Sequence, residues 1–533
     1  MLPRVSEPVM KRWMGDVRPD RRERVRGILC AAAFAGLICL AALAELAAAA
    51  PAGDFRANIH EYTLDNGLRV ILVERRHAPV VHINMMFLAG SVDEPPGLSG
   101  IAHMVEHMAG VGTATFGSYD LEKELQLLEE LEDVVQALRE AERAVQAGED
   151  RAAEVEALKA RFAEVKAQAD ALSVPAALPI VLMANGAVGL NAFTSYDVTG
   201  YVASLPKNRF ELWARLVADG MYTSVFRHFY NEIEAVKAER RLRIENDPVR
   251  LLHEAFLAEA FKVHPYGRSA FGTMEEINSY TARAGRAFWD AHYVPNNAVL
   301  AVAGDIDVEA TLAIIEKYFG VLERREVKRR EIPAEPPQQG ERRITLTMGD
   351  QSRIIIGYHK PTYPHRDAYV LDVIDAILSS GPTSRLVVRM VNEERIAASV
   401  AASSVYPSEL AVRYPNLFIL TGTPVFPHGP EDLERAFSEE IDRLKMELVD
   451  EKTLQRVKNK VRADFIFGLR SDAELLKKLA LHELVLGGWE QLFAYPEIVD
   501  SVTAEEIRDV ARRYFTEENR TVAILVPQRG EAE

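Results

Sequence analysis

Apolar residues along the chain follow two spacings, and the switches between them outline the elements. "LRVILVER" (68–75) and "VVHINMMFLAGS" (80–91) are runs of β-branched and other apolar residues, the signature of paired strands. A Pro-Gly turn at 96–97 follows, and "LSGIAHMVEHMAG" (98–110) takes up helical spacing. From Leu121 to Leu172 the sequence is charged, poor in turn residues and apolar at heptad positions. These are Leu128, Leu131, Val135, Leu138 and Val145, then Val155, Leu158, Phe162, Val165 and Leu172. The break between the two sets, "QAGED" (146–150), predicts an antiparallel helical hairpin, a coiled-coil-like spur. Its expected role is a solvated spur, with a docking surface or lid as the alternatives. Past it, "VGLNAFTSYDVTGYVASLP" (188–206) alternates like strands, and a long helical run begins near Phe229. "AVLAVAGDID" (298–307) is another strand, ending in a Gly-Asp turn.

The segment "REVKRREIPAEPPQQGERR" (325–343) is charged, proline-rich and without periodicity, which marks a linker. Beyond it the pattern restarts. Ser279, Thr281, Ala282, Arg286, Asn297 and Ala301 recur 222 positions later as Ser501, Thr503, Ala504, Arg508, Asn519 and Ala523. The chain therefore divides into a leader (1–52), a first domain (53–324) carrying the 121–172 hairpin as an insertion, the linker, and a second domain (344–533). At 533 residues it is too long for one core, in keeping with this division.

The leader differs from the rest. Arg21, Arg22, Arg24 and Arg26 precede an apolar run from Ile28 to Ala44 and small residues near Ala48 to Ala52, the layout of a secretory signal. The late arginines fit a start at Met10 or Met14. An uncleaved inner-membrane anchor is the alternative, since the apolar run is at the lower edge of spanning length. Both cysteines, Cys30 and Cys39, lie in this leader, so the mature chain would form no disulfide, as suits a bacterial periplasm. A net charge of −16 argues against nucleic acid as a partner and leaves basic or neutral peptides as easier ones.

Candidate chemistry sits in His103-Met104-Val105-Glu106-His107. On a helix, residues four apart share a face, so His103 and His107 can bind one metal ion. Glu106 projects close to the same face, placed to take a proton from an activated water. Two imidazoles plus a carboxylate, with one position open, make the catalytic zinc pattern. A carboxylate must therefore come from elsewhere. The helix "NEIEAVKAERRLRIENDP" offers Glu232 and Glu239, seven apart on one face, and Glu234 and Glu245 pointing elsewhere. Each could instead pair with Arg240, Arg241 or Arg243, and composition alone does not choose among the four glutamates. The second domain has no such histidine pair, so any chemistry is asymmetric.

The stretches "AGSVDEPPGLSGIAHMVEHM", "GLNAFTSYDVTGY", "AERRLRIENDP", "HPYGRSAFGT", "YVPNNAVLAVAGD" and "GPTSRL" occur in the order found in one peptidase family. Through them the chain, from about residue 56 to 528, resembles the M16 inverted-zincin metallopeptidases of the pitrilysin, insulin-degrading enzyme and mitochondrial processing peptidase type. The resemblance implies an α+β fold of two homologous LuxS/metallohydrolase-like domains forming a half-shell. It implies one zinc ion per chain, held by His103, His107 and Glu239, with Glu106 as general base and Glu232 as an auxiliary glutamate. Asn191, in the N-A-x-T-S segment, would help hold a peptide substrate. The substrate would add to an edge strand, for which "NMMFLAGS" is the expected one. The function implied is a zinc metalloendopeptidase acting on peptides or small unfolded proteins in the periplasm.

Departures from the family pattern sharpen that expectation. Gly110 and Val111 stand where members usually carry an aromatic and a basic residue. Many active members also place an arginine and a tyrosine over the substrate shortly after the "SRL" segment, and those positions here hold Val391 and Ala398. The chain would then have the zinc half of the machinery without the clamp. The expected partner is a related zinc-less subunit in a heterodimer, with a homodimer as another arrangement. The competing function is a non-catalytic binding or assembly subunit that keeps the fold. His253, His264, His292 and His365 are expected to serve packing or hydrogen bonding rather than ligation.

Overall fold

The computed structural model describes residues 55–528, so the leader and both cysteines lie outside the described residues. A unit ending at Asn58, of which the turn Phe55–Asn58 is described, precedes the main unit that begins at Ile59. No helix among the described residues is long and apolar enough to cross a membrane.

The main unit is built on two sheets. The first contains β1 (Ile59–Thr63), β2 (Arg69–Glu74), β3 (Val80–Phe87), β4 (Val188–Thr194), β5 (Thr199–Pro206) and β6 (Ala298–Gly304). Their order is β1-β2-β6-β3-β5-β4, antiparallel except at β2–β6. The second contains β7 (Arg342–Thr347), β8 (Arg353–Lys360), β9 (Ala397–Tyr406), β10 (Asn416–Pro424) and β11 (Arg520–Val526). Its order, β7-β11-β8-β10-β9, is antiparallel except at β7–β11 and reproduces the first sheet without β1. Helices and sheets thus combine in the two-domain α+β arrangement expected from the sequence.

In the first half the helices needed below are α1 (Ile101–Met108), α2 (Leu121–Gln146), α3 (Ala152–Asp170), α4 (Ala177–Ala184), α5 (Phe229–Arg240), α6 (Pro248–Ala260) and α7 (Ala282–His292). In the second they are α8 (Arg366–Ser379), α9 (Asp472–Leu481) and α10 (Ala504–Tyr514). The sequence repeat has a physical reason. Thr281 and Thr503 cap α7 and α10 by accepting backbone N–H groups of Ala284 and Glu506. Asn297 donates to the carbonyls of His292 and Leu88, and Asn519 donates to those of Tyr514 and His359. One helix-to-strand junction is used twice, and it fixes the same residue types each time.

Each half lends the other a helix. Leu252, Phe256 and Leu257 of α6 pack against Ile355, Ile419 and Leu525 of the second sheet. Gly357 lets this happen, since a Cβ there would lie 2.4 Å from the Phe256 ring. Reciprocally, α9 lies on β3 and β6 of the first sheet, and Arg75 pairs with Asp472 at its start (2.6 Å).

The structure corrects the expected edge strand. β3, which holds "NMMF", pairs with β5 on one side and β6 on the other. Its apolar run is continuous because both faces are covered, which signals a central strand rather than an edge. The edge on this side of the sheet is β4, part exposed and part half-buried, which contributes Asn191 and Thr194. The hairpin also departs from a plain heptad seam. Its buried cluster is Leu127, Leu131, Val165 and Ala169, with Tyr230 of α5 packed against it, while Val145 near the tip is exposed. Contact with the body, not only helix-to-helix packing, decides which positions are covered.

Between the halves, Asp197 accepts the backbone N–H of Arg413 (2.8 Å) and the Tyr266 hydroxyl, while the Arg413 guanidinium bonds Asp93 (3.0 Å). Burial pushes the Asp197 carboxyl up to about 7, against the pull of these donors. An unfolded chain releases this proton near the ordinary value of about 4. Between the two values the folded state holds a proton the unfolded state has lost, so stability falls as pH rises through that window. Asp197→Asn is expected to remove this slope and to raise stability at pH 8 by up to about 4 kcal/mol. Urea unfolding at pH 5 and pH 8 checks it.

Candidate metal centre

The helix α1 is started by a buried carboxylate. Gly100 adopts φ +87°, and Glu94 accepts the N–H groups of Gly100 (2.9 Å) and Ala102 (3.0 Å) in place of a side-chain cap. Burial nevertheless raises the Glu94 carboxyl well above the usual range. The Tyr280 hydroxyl donates to the Ser99 carbonyl just ahead of it.

On α1, His103 and His107 stand one turn apart with ring centroids 4.9 Å apart. From α5, a Glu239 carboxylate oxygen lies 3.6 Å from Nε2 of each histidine. These three ligand atoms all lie within 4.8 Å of one another. Tetrahedral zinc with bonds of about 2.0–2.2 Å holds its ligand atoms about 3.4 Å apart, so the trio fits such an ion with little adjustment. Glu232 meets the His107 Nδ1 at 3.0 Å, which favours the tautomer with Nε2 free to ligate. The His103 Nδ1 is buried without a partner. Glu234 and Glu245, the other two candidates, pair with Lys237 and Arg240 instead. Directly after α5 the chain widens into a π-helical stretch, Arg241–Glu245, whose Arg243 contacts the other Glu239 oxygen (3.1 Å).

The electrostatics follow from this packing. Burial and the neighbouring His107 lower His103 to about 4. Burial would lower His107 too, but Glu232 and Glu239 prevail and raise it to about 9. The His107 contact holds Glu239 below the ordinary carboxylate range. The pocket is thus set to favour positive charge between the histidines and Glu239. Burial raises Glu106, whose oxygen accepts the Thr194 hydroxyl from edge strand β4 at 2.6 Å.

The structure brings His103, His107, Glu239, Glu232 and Glu106 into one cluster. Asn191 is exposed on β4, three residues before Thr194, and no hydrogen bond joins it to the cluster. Thr194 escaped the sequence reading. It lies in the same N-A-x-T-S segment, but only its hydrogen bond in the fold shows that it faces Glu106. Gly110 abuts Pro179 of α4, where a Cβ would lie 3.4 Å from the ring, so α4 occupies the flank of the site. Val391 packs against the core of the second half, and Ala398 is exposed on β9. His253 and His264 are lowered to about 4 by burial, and the His264 Nδ1 accepts the Tyr266 N–H. His365 caps α8.

Residues 69–165 match the family described as Insulinase (Peptidase family M16), and residues 279–461 match the Peptidase M16 inactive domain. The zinc protease PqqE of Helicobacter pylori is 25% identical over 472 residues, covering 87% of this chain and 92% of that protein. A crystal structure of a protease from Helicobacter pylori superposes with a TM-score of 0.71 at 23% identity, over 88% of this chain and 99% of the other. The periplasmic protease PqqL of Escherichia coli superposes with a TM-score of 0.65 at 17% identity, over 88% of this chain and 47% of the other. With both halves matched and the paired-sheet fold in common, the chain belongs to peptidase family M16.

Proposed function

We propose that the chain is a zinc-dependent endopeptidase that cleaves peptides or small unfolded proteins, working in the periplasm as the catalytic member of a pair. The observation that carries this is Glu106: a half-buried carboxylate between the two histidines and a free sheet edge, tied to that edge by Thr194. Zinc bound by His103, His107 and Glu239 supplies a Lewis acid for the scissile carbonyl and lowers the pKa of water. The chain's own residues do the rest. A peptide pairs with the outer side of β4, where Asn191 is exposed to meet it. Thr194 holds the Glu106 carboxylate in one rotamer. Glu106 accepts the proton of the attacking water and returns it to the leaving amine, and its raised pKa suits both tasks. Glu232 fixes the His107 ring.

Val391 and Ala398 provide no arginine–tyrosine clamp, which favours a related zinc-less partner that brings one; a homodimer is the other arrangement. The same absence supports the second reading, a non-catalytic assembly subunit. The periplasmic assignment rests on the leader and on the lack of cysteines after it, and one fold neighbour is a periplasmic protease.

Hydrolysis of a quenched fluorescent peptide library by the purified chain tests the proposal. Cleavage lost on chelation and regained with one equivalent of zinc supports it. Stoichiometric zinc without cleavage, unrelieved by a zinc-less homologous subunit, would leave the assembly subunit as the function.

A further inference from the structure

The helix bearing Glu232 and Glu239 is gripped at its start by the inserted hairpin. Arg227, two residues before α5, has its side chain 1% exposed and makes a two-point pair with Glu124 of α2 (2.8 and 3.0 Å). The same guanidinium donates to the carbonyls of Thr113 and Phe116, in the loop that leaves α1 (3.1 Å each). A Cβ on Gly112 would lie 2.4 Å from it, so that loop is shaped around the arginine. His228 follows with φ +59°, in the left-handed region. Its Nδ1 lies 3.1 Å from Asp170, and its Nε2 lies 2.8 Å from the Ser173 hydroxyl, both at the end of α3. The Tyr230 hydroxyl donates to Glu132 of α2.

A cavity of about 400 Å³ separates hairpin and α5 at this place, bordered by Glu124, Leu128, Asp170, Arg227, His228 and Tyr230. Where close packing is interrupted, directional polar contacts set the relative position of two elements. Ser173, His228 and Asp170 are spaced like a nucleophilic triad, but the nearby N–H groups are spent. Ser173 donates its own to Asp170 and Val174 donates to Gly117, which leaves no oxyanion donors. The three residues therefore act as a pin. Elsewhere on α2, Arg139 donates to the Tyr280 carbonyl (2.6 Å), and the Tyr280 hydroxyl donates to the Ser99 carbonyl ahead of α1.

We propose that the hairpin is the bearing of the metal centre, with Arg227 and His228 as positioning residues that set where Glu239 and Glu232 stand against the α1 histidines. This rests on the zinc reading above. One rigid helix links the pin to the ligand: His228 precedes Glu232 by about one turn and Glu239 by about three.

Zinc affinity, measured on the full chain by competition with a chromophoric chelator, tests it, alongside thermal unfolding of the metal-free chain. Asp170→Asn combined with Ser173→Ala is expected to weaken zinc binding about tenfold. His228→Gly relieves the left-handed backbone, which offsets part of the loss of the imidazole's two contacts, and zinc should bind about tenfold more weakly, a larger loss than the change in the metal-free melting temperature accounts for. Arg161→Ala, which breaks exposed pairs on the hairpin away from the pin, should leave zinc affinity unchanged. Wild-type affinity in the pin variants would overturn the proposal, as would a loss that follows the melting temperature equally in Arg161→Ala. A wild-type chain that takes up no zinc would instead fail the reading on which the proposal stands.

Discussion

Glu106→Gln is expected to lower kcat by about 10²–10⁴-fold while the chain still binds one zinc. The amide is nearly isosteric, and its oxygen can still accept the Thr194 hydroxyl, so β4 and α1 keep their relation. What it removes is the lone base one residue from His107. None of the three ligand atoms is touched, so metal content separates loss of the base from loss of the site. Metal analysis of the variant beside its rate completes the check.

The second large effect is on stability. Arg227→Met is expected to cost about 3–5 kcal/mol, because it leaves the fully buried Glu124 carboxylate unpaired. The Thr113 and Phe116 carbonyls lose their donor as well. Replacing both partners, Arg227→Met with Glu124→Leu, should recover much of that loss, since no charge is then left in the interior. Recovery stays incomplete because the two carbonyls remain without a donor. Urea unfolding of the metal-free wild type, single and double variants measures the loss and its recovery, and a double variant no better than the single one would contradict it.

Local features of the sequence carried further than distant ones. The i, i+4 spacing of His103 and His107 is intrinsic to a helix, so their shared face could be read before any fold was known. The 222-residue repeat could be read because one helix-to-strand junction needs the same capping threonine and bridging asparagine each time. Choosing among four glutamates could not be done locally. Glu234 and Glu245 differ from Glu239 only in which cation sits nearby, and that depends on the angle between α5 and α1. An apolar run such as β3 reports burial on both faces, whereas a substrate-binding edge has to be partly exposed, so the edge lies on β4. Arg227 gave no sign at all. A buried arginine looks like any surface arginine until its partner, 103 residues away, is known. The hairpin's heptads suggested a spur, while its chemistry lies in the polar residues at its base.

The exchange of α6 and α9 between the halves bears on how the chain is made. β3 and β6 are complete once residue 304 has left the ribosome, but the helix that covers them begins at Asp472. At about 5–20 residues per second, the first sheet waits on the order of ten seconds or more with an apolar face uncovered. Cutting the chain at the linker would make that wait permanent, so the two halves produced as separate proteins should each aggregate, although each contains a full set of strands. For a chain that crosses the membrane unfolded, a holding chaperone that keeps this face covered until α9 arrives is the natural remedy.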